Sequence, residues 1–168
     1  AEPGQTDLDL SDQELGLDDA KIIAWELSAG FVSSSMTFLN LSSNCLCGLN
    51  EYGRGTYDAT GIKAIADALS VSTSMNKLNV LSNAIGDEGY EMLMKLAEEK
   101  GMLTFCGFEE GQTEADLSKK NLGPVDAKLI ARELTTGYVS SSMNSLDISN
   151  NRIGMDKYGN NEMTGVKM

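Results

Sequence analysis

Histidine is absent from the sequence, which removes the Ser-His-Asp and Cys-His pairs and every imidazole-ligated metal site. Acid–base chemistry would then fall to carboxylates, and adjacent pairs stand at Asp18-Asp19 and Glu109-Glu110. At the start of a helix such pairs are better explained as caps and as partners of the positive dipole end. Cys45, Cys47 and Cys106 could hold a metal only if the fold gathered all three thiolates. As an odd set without a disulfide framework, they read as small buried hydrophobes or as thiols kept in a reducing compartment. Gly53-x-Gly55 lacks the GK[ST] of a phosphate loop, and Gly86-Asp87-Glu88-Gly89 lacks the alternating acids of a calcium loop. These residues predict no catalytic group, no cofactor, no metal and no small-molecule substrate. The chain reads as a non-enzyme.

A second group of residues fits recognition. Tyr52, Arg54 and Tyr57 lie in a glycine-rich stretch, CGLNEYGRGTYD, at 47–58. Tyrosine and arginine are residue types that anchor interfaces, and loops on a regular scaffold often carry function. The same stretch could instead pack over a neighbouring ridge of the scaffold.

The elements around these residues follow from an internal duplication. Residues 4–46 match 111–153 without a gap, at an offset of 107, and 24 of 43 positions are identical. Within it runs a shorter pattern, L-x-L/V-x-x-N-x-L/I. Leu39, Leu41, Asn44 and Leu46 form one copy, Leu78, Val80, Asn83 and Ile85 a second, and Leu146, Ile148, Asn151 and Ile153 a third. Two weaker copies place Gln13 and Lys120 at the Asn position. The alternation predicts short strands with one buried face. The Asn side chain can bond backbone groups where the chain turns away.

Helical periodicity follows four of the strands, over Asp18–Ala29, Ala59–Leu69, Asp87–Lys100 and Pro124–Thr136. Pro124 suits a first turn, and Gly30, Gly101 and Gly137 stand where helices should stop. Ala20, Ala24, Ala127 and Ala131 suggest close packing of helix on sheet. Trp25 has Arg132 as its duplicate, so this position is not deep core; the Trp covers an edge or meets a partner. No such unit can bury its apolar face alone. Stacked units make an α/β solenoid, with parallel strands on a concave face and helices on the convex one. The step between residues 107 and 117 is too short for a helix, and residues 164–168 echo 60–64, the opening of the second helix. The expectation is a single domain over 1–168 with five or six strands in one sheet, four helices and an inserted loop at 47–58.

With 168 residues, 25 acids against 13 bases and a net charge of -12, the chain is acidic and globular in composition. That disfavours nucleic acid and anionic membranes and predicts a protein partner with a neutral or basic surface. No apolar run reaches the length of a membrane span. Ala1 in place of Met suggests a processed or partial chain.

Leu78-x-Val80-x-x-Asn83-x-Ile85-Gly86-Asp87-Glu88-Gly89 resembles the leucine-rich repeats of the ribonuclease-inhibitor-like subfamily. Phe105-Cys106-Gly107 with Gly111-Gln112-Thr113-Glu114-x-Asp116-Leu117-Ser118 resembles a variant of these repeats abundant in dinoflagellates and other algae. The resemblance covers almost the whole chain. It implies protein binding, mostly through the concave face, where Phe38, Asn40, Lys77, Asn79 and Asp147 would point to solvent. An algal source implies a plastid assembly in which the chain is a structural subunit. A free adaptor in the cytoplasm is the other reading.

Overall fold

The computed structural model describes residues 6–30 and 35–154, in two compact units, 1–107 and 108–168. The echo at residues 164–168 lies outside the described residues, as does Phe31.

In the first unit the order is β1 (Asp7–Asp9), α1 (Leu17–Ser28), β2 (Phe38–Asn40), α2 (Thr60–Val71), β3 (Lys77–Asn79) and α3 (Gly86–Lys100). In the second it is β4 (Glu114–Asp116), α4 (Pro124–Thr135) and β5 (Ser145–Asp147). All pairings between named strands are parallel, and Leu8, Leu39 and Leu78 stand in register at the strand centres. The described strands form two sheets, β1-β2-β3 and β4-β5, in place of the one expected.

The first sheet ends at residues 104–106, a bridge along β3. Leu78 and Val80 donate backbone hydrogen bonds to the carbonyls of Thr104 and Phe105, and Phe105 is fully buried. Pairing stops at Gly107, whose φ is +74°; a Cβ there would lie 2.8 Å from Asn79 Nδ2. Glycine is needed both for the left-handed backbone and for this close approach. The chain then crosses to β4 without a helix, as its length predicts.

Helix ends follow their sequence signals. Asp19 Oδ2 accepts the Gly16 N–H, and its duplicate Asp126 Oδ2 accepts the Gly123 N–H, so these carboxylates work as caps. Pro124 occupies the first turn of α4. Gly101 closes α3 at φ +70°, donating to Ala97 O.

The core of the first unit holds Leu39, Leu41, Leu46, Ile62, Ile65, Leu69, Leu78 and Leu93, all fully buried. Ala20 and Ala24 of α1 are buried too, but they serve contact with a helix more than with the sheet. α1 packs on α2, and a Cβ on Gly61 would lie 3.2 Å from Ala20 Cβ and 2.1 Å from Leu46 O. The equivalent alanines of α4 differ from expectation. Ala131 is exposed, and α4 buries Asp126, Leu129, Ile130 and Glu133 instead. Leu146, expected in the deep core, is half-buried, and Ile148 is 38% exposed. The reason is position: β2 has a strand on both sides, while β5 pairs only with β4 among the described strands.

Asn44, Asn83 and Asn151 tie each strand-turn unit to the one before it. Asn44 Oδ1 accepts the N–H groups of Gln13 and Leu15, and its Nδ2 donates to the carbonyls of Leu10, Leu41 and Ser42. Asn83 Oδ1 accepts the Leu46 N–H, and its Nδ2 donates to Leu41, Val80 and Leu81. Asn151 repeats the set on Lys120, Leu122, Leu117, Ile148 and Ser149. An interior amide satisfied on both ends is a rigid link, because each lost bond would leave a buried backbone group unpaired. Gln13 and Lys120 hold the Asn position in the units of β1 and β4, the first strands of their sheets. Among the described strands neither β1 nor β4 pairs with an earlier one, and Gln13 turns its amide to the carbonyls of Ser11 and Asp12.

Candidate protein-binding surfaces

Alternation turns the central residue of each strand, leucine in all but β4, where it is Ala115, toward the helices and its two neighbours to the open face. In the first unit that face carries Asp7 and Asp9, then Phe38 and Asn40, then Lys77 and Asn79, in register across the sheet. Lys77 Nζ lies 5.5 Å from the centroid of the Phe38 ring, within cation–π range. In the second unit the open face carries Glu114, Asp116, Ser145 and Asp147.

The last residue of every strand has a local task. Asn40 Oδ1 accepts the Ser42 N–H at 3.1 Å and the Ser42 hydroxyl at 2.9 Å. Asn79 Oδ1 accepts the Leu81 N–H, and Asp147 Oδ1 the Ser149 N–H. Asp9 and Asp116 do the same for Ser11 and Ser118. These are Asx turns that steer the chain off the strand. Hydrogen bonds from the Ser11 and Ser118 side chains, then from their N–H groups, hold the Asp9 and Asp116 carboxyls below the usual carboxylate value. Asn40, Asn79 and Asp147 thus have part of their polar capacity spent within the chain. Phe38 and Lys77, both half-buried, add an aromatic ring and a cation to this face.

The inserted loop is a pinned structure. Asn50 Oδ1 accepts the N–H groups of Tyr52 and Arg54, and the Asn50 N–H donates to Arg54 O. Leu49 and Gly55 form an antiparallel bridge, and a Cβ on Gly55 would lie 2.1 Å from Gly48 O. At the tip Tyr52 is 66% exposed, and the Arg54 guanidinium lies 5.9 Å from its ring centroid. Tyr57 acts as a latch. Its hydroxyl donates to Ile85 O at 2.7 Å, and its ring occupies the space a Cβ on Gly86 would need. Partial burial first, then the carboxylates of Glu88 and Asp87 among its charged neighbours, pushes its phenol upward. Tyr52 and Arg54 therefore project, while Tyr57 holds the loop to the start of α3. Asn50, which sequence reasoning passed over, sets the geometry; its signal was an Asn two residues before Tyr52 in a glycine-rich stretch.

The thiols do not form a site. Cys47 is buried and its thiol is pushed up to about 12, chiefly by desolvation; Cys106 is buried as well. Among the described residues no group of three or more Cys, Asp or Glu is placed to hold a metal ion. Among them, too, no helix is long and apolar enough to cross a membrane.

Parallel strands each joined by a turn, an Asn link and a helix are the architecture of leucine-rich repeats. Residues 71–94 and 139–155 match the family model described as Leucine Rich repeat. The first segment runs from the end of α2 through β3 and Asn83 into α3, and the second covers β5 with Asn151. Over these residues, and in its alternation of parallel strands and helices, the chain is similar to leucine-rich repeats, a superfamily whose members generally act in protein–protein interaction and are typically non-catalytic.

Proposed function

We propose that this chain is a non-catalytic protein-binding module serving as an accessory subunit of a larger protein assembly. The observation that carries the reading is the loop tip. Backbone pins from Asn50 hold Tyr52 and Arg54 outward on a segment the repeat does not require, so little ordering entropy is lost on binding. The ribonuclease-inhibitor-like resemblance, in its algal variant, belongs to the same reading, and with it a plastid assembly. The charge of -12 favours a neutral or basic partner surface. The open face with Phe38 and Lys77 supports a second reading, a transient adaptor, because the Lys77–Phe38 pair exposes aromatic and cationic area together.

Co-purification of a Tyr52→Ala, Arg54→Ala variant from the native source tests the subunit reading. Association should fall by at least about tenfold, as loss of hot-spot side chains does. Retention of the partner by this variant, with loss on Phe38→Ala, would transfer the function to the open face.

A further inference from the structure

The duplication supplies an internal control for one surface of α1. Asp18, Ile22, Trp25 and Glu26 fall on one stripe of that helix by their spacing. Ile22 is 58% exposed and Trp25 60% exposed. Their counterparts 107 residues on are Leu129, which is fully buried, and Arg132, which is half-buried; Glu133, the counterpart of exposed Glu26, is fully buried too. Solvation alone would place the more polar pair outside. Here the exposed copy carries Ile and Trp, and the covered copy carries Leu and Arg. Single exposed apolar residues need no explanation, but two adjacent large ones on a face that its own duplicate buries do.

Charge says what could cover it. Residues 1–30 carry eight carboxylates and one lysine, Lys21, whereas the aligned residues 108–137 carry six carboxylates and four bases. The first segment is thus at -7 and the second at -2. Lys21 already lies 3.4 Å from Asp18. A second copy of this chain would bring the same acids together, which disfavours self-association through this stripe.

We infer that the Ile22–Trp25 stripe of α1 is a docking face for a partner-protein helix with an apolar stripe flanked by lysine or arginine. The inference rests on the protein-binding reading and adds a surface separate from the Tyr52–Arg54 loop. The partner's apolar residues would cover Ile22 and Trp25, and its cations would meet Asp18 and Glu26.

Trp25 is the sole tryptophan of the chain, so its fluorescence reports this face directly. The probe is a helix-forming peptide of about 20 residues, with leucine on one face and lysine on the other, titrated into the full chain. The expected result is saturable binding with a blue-shifted Trp25 emission, and affinity at least about tenfold weaker for Ile22→Gln, whose fold is checked by circular dichroism. The Tyr52→Ala, Arg54→Ala variant should bind the peptide as the parent does. Absence of a shift, equal binding by a peptide with serine in place of leucine, or unchanged affinity in Ile22→Gln would overturn the inference. So would a blue shift that grows with protein concentration without peptide, which would mean a second copy covers the face. Loss of peptide binding in the loop variant would overturn it as well. Failure of the peptide arm while the loop variant still loses its native partner would leave the protein-binding reading standing.

Discussion

Residues 4–46 and 111–153 are copies identical at 24 of 43 positions, and they bury different atoms. Leu39 is fully buried and Leu146 half-buried; Leu41 is fully buried and Ile148 is 38% exposed. On the helices the two positions go opposite ways: Ile22 is exposed and Leu129 fully buried, whereas Ala24 is buried and Ala131 exposed. Local propensity cannot separate the copies, because strand, turn and helix form at equivalent positions in both. What separates them is the neighbours each copy has. In a repeat protein, stability sits at the contacts between units.

The largest break in this comparison should come from the strands. Leu39→Ala should cost about 2–5 kcal/mol, the range for a fully buried leucine, and Leu146→Ala clearly less. Chemical denaturation of both variants measures the difference, and equal losses would mean that β5 is as enclosed as β2. Next comes the inter-unit link. Asn83→Ala deletes four hydrogen bonds and strands buried carbonyls and an N–H, which should cost roughly 2–4 kcal/mol. Gln13→Ala, at the same place in the first unit, should stay within about 0.5 kcal/mol. A Gln13 variant as damaging as the Asn83 one would show that the first strand needs a link of its own. Gly61→Ala should cost about 1–3 kcal/mol through overpacking, as its Cβ meets Leu46 O, and a neutral result in a thermal melt would mean α1 and α2 pack more loosely. Tyr57→Phe removes one hydrogen bond to Ile85 and should cost about 0.5–1.5 kcal/mol, with partner association kept unless the loop detaches.

The smallest effect sharpens the comparison by its sameness. Asp9 and Asp116 are duplicates with duplicate serine partners, Ser11 and Ser118, and both carboxyls are held below the usual 3.8. A folded value below the unfolded one gives stability that is present above 3.8 and lost as pH falls through the folded value. Carboxyl titration by NMR should find both depressed; an ordinary value at either would remove its Asx turn.

Much of this was legible from residue order. Leucine alternation gave the parallel strands, helical spacing gave all four helices within two residues at each end, and the short step before Asp116 gave the missing helix. The break into two sheets was also written, in Gln13 and Lys120 at the Asn position, but it reads only once the Asn is seen gripping the preceding unit. Burial of Leu146 and exposure of Ala131 could not be read, since each depends on which elements lie beside it and the local pattern matches that of its buried duplicate. Of the site residues, Tyr52 and Arg54 project as their loop suggested. The Asx role of Asn40, Asn79 and Asp147 needs the strand exit geometry, and the latch role of Tyr57 needs the position of Ile85.

The most direct test compares one helix position across the two copies. Ile22→Ala and Leu129→Ala should be followed by denaturation, with amide exchange resolved in each unit. Neighbour-controlled burial predicts a loss under about 1 kcal/mol for Ile22→Ala and about 2–5 kcal/mol for Leu129→Ala, with faster exchange around α4. Equal losses at the two positions would contradict it.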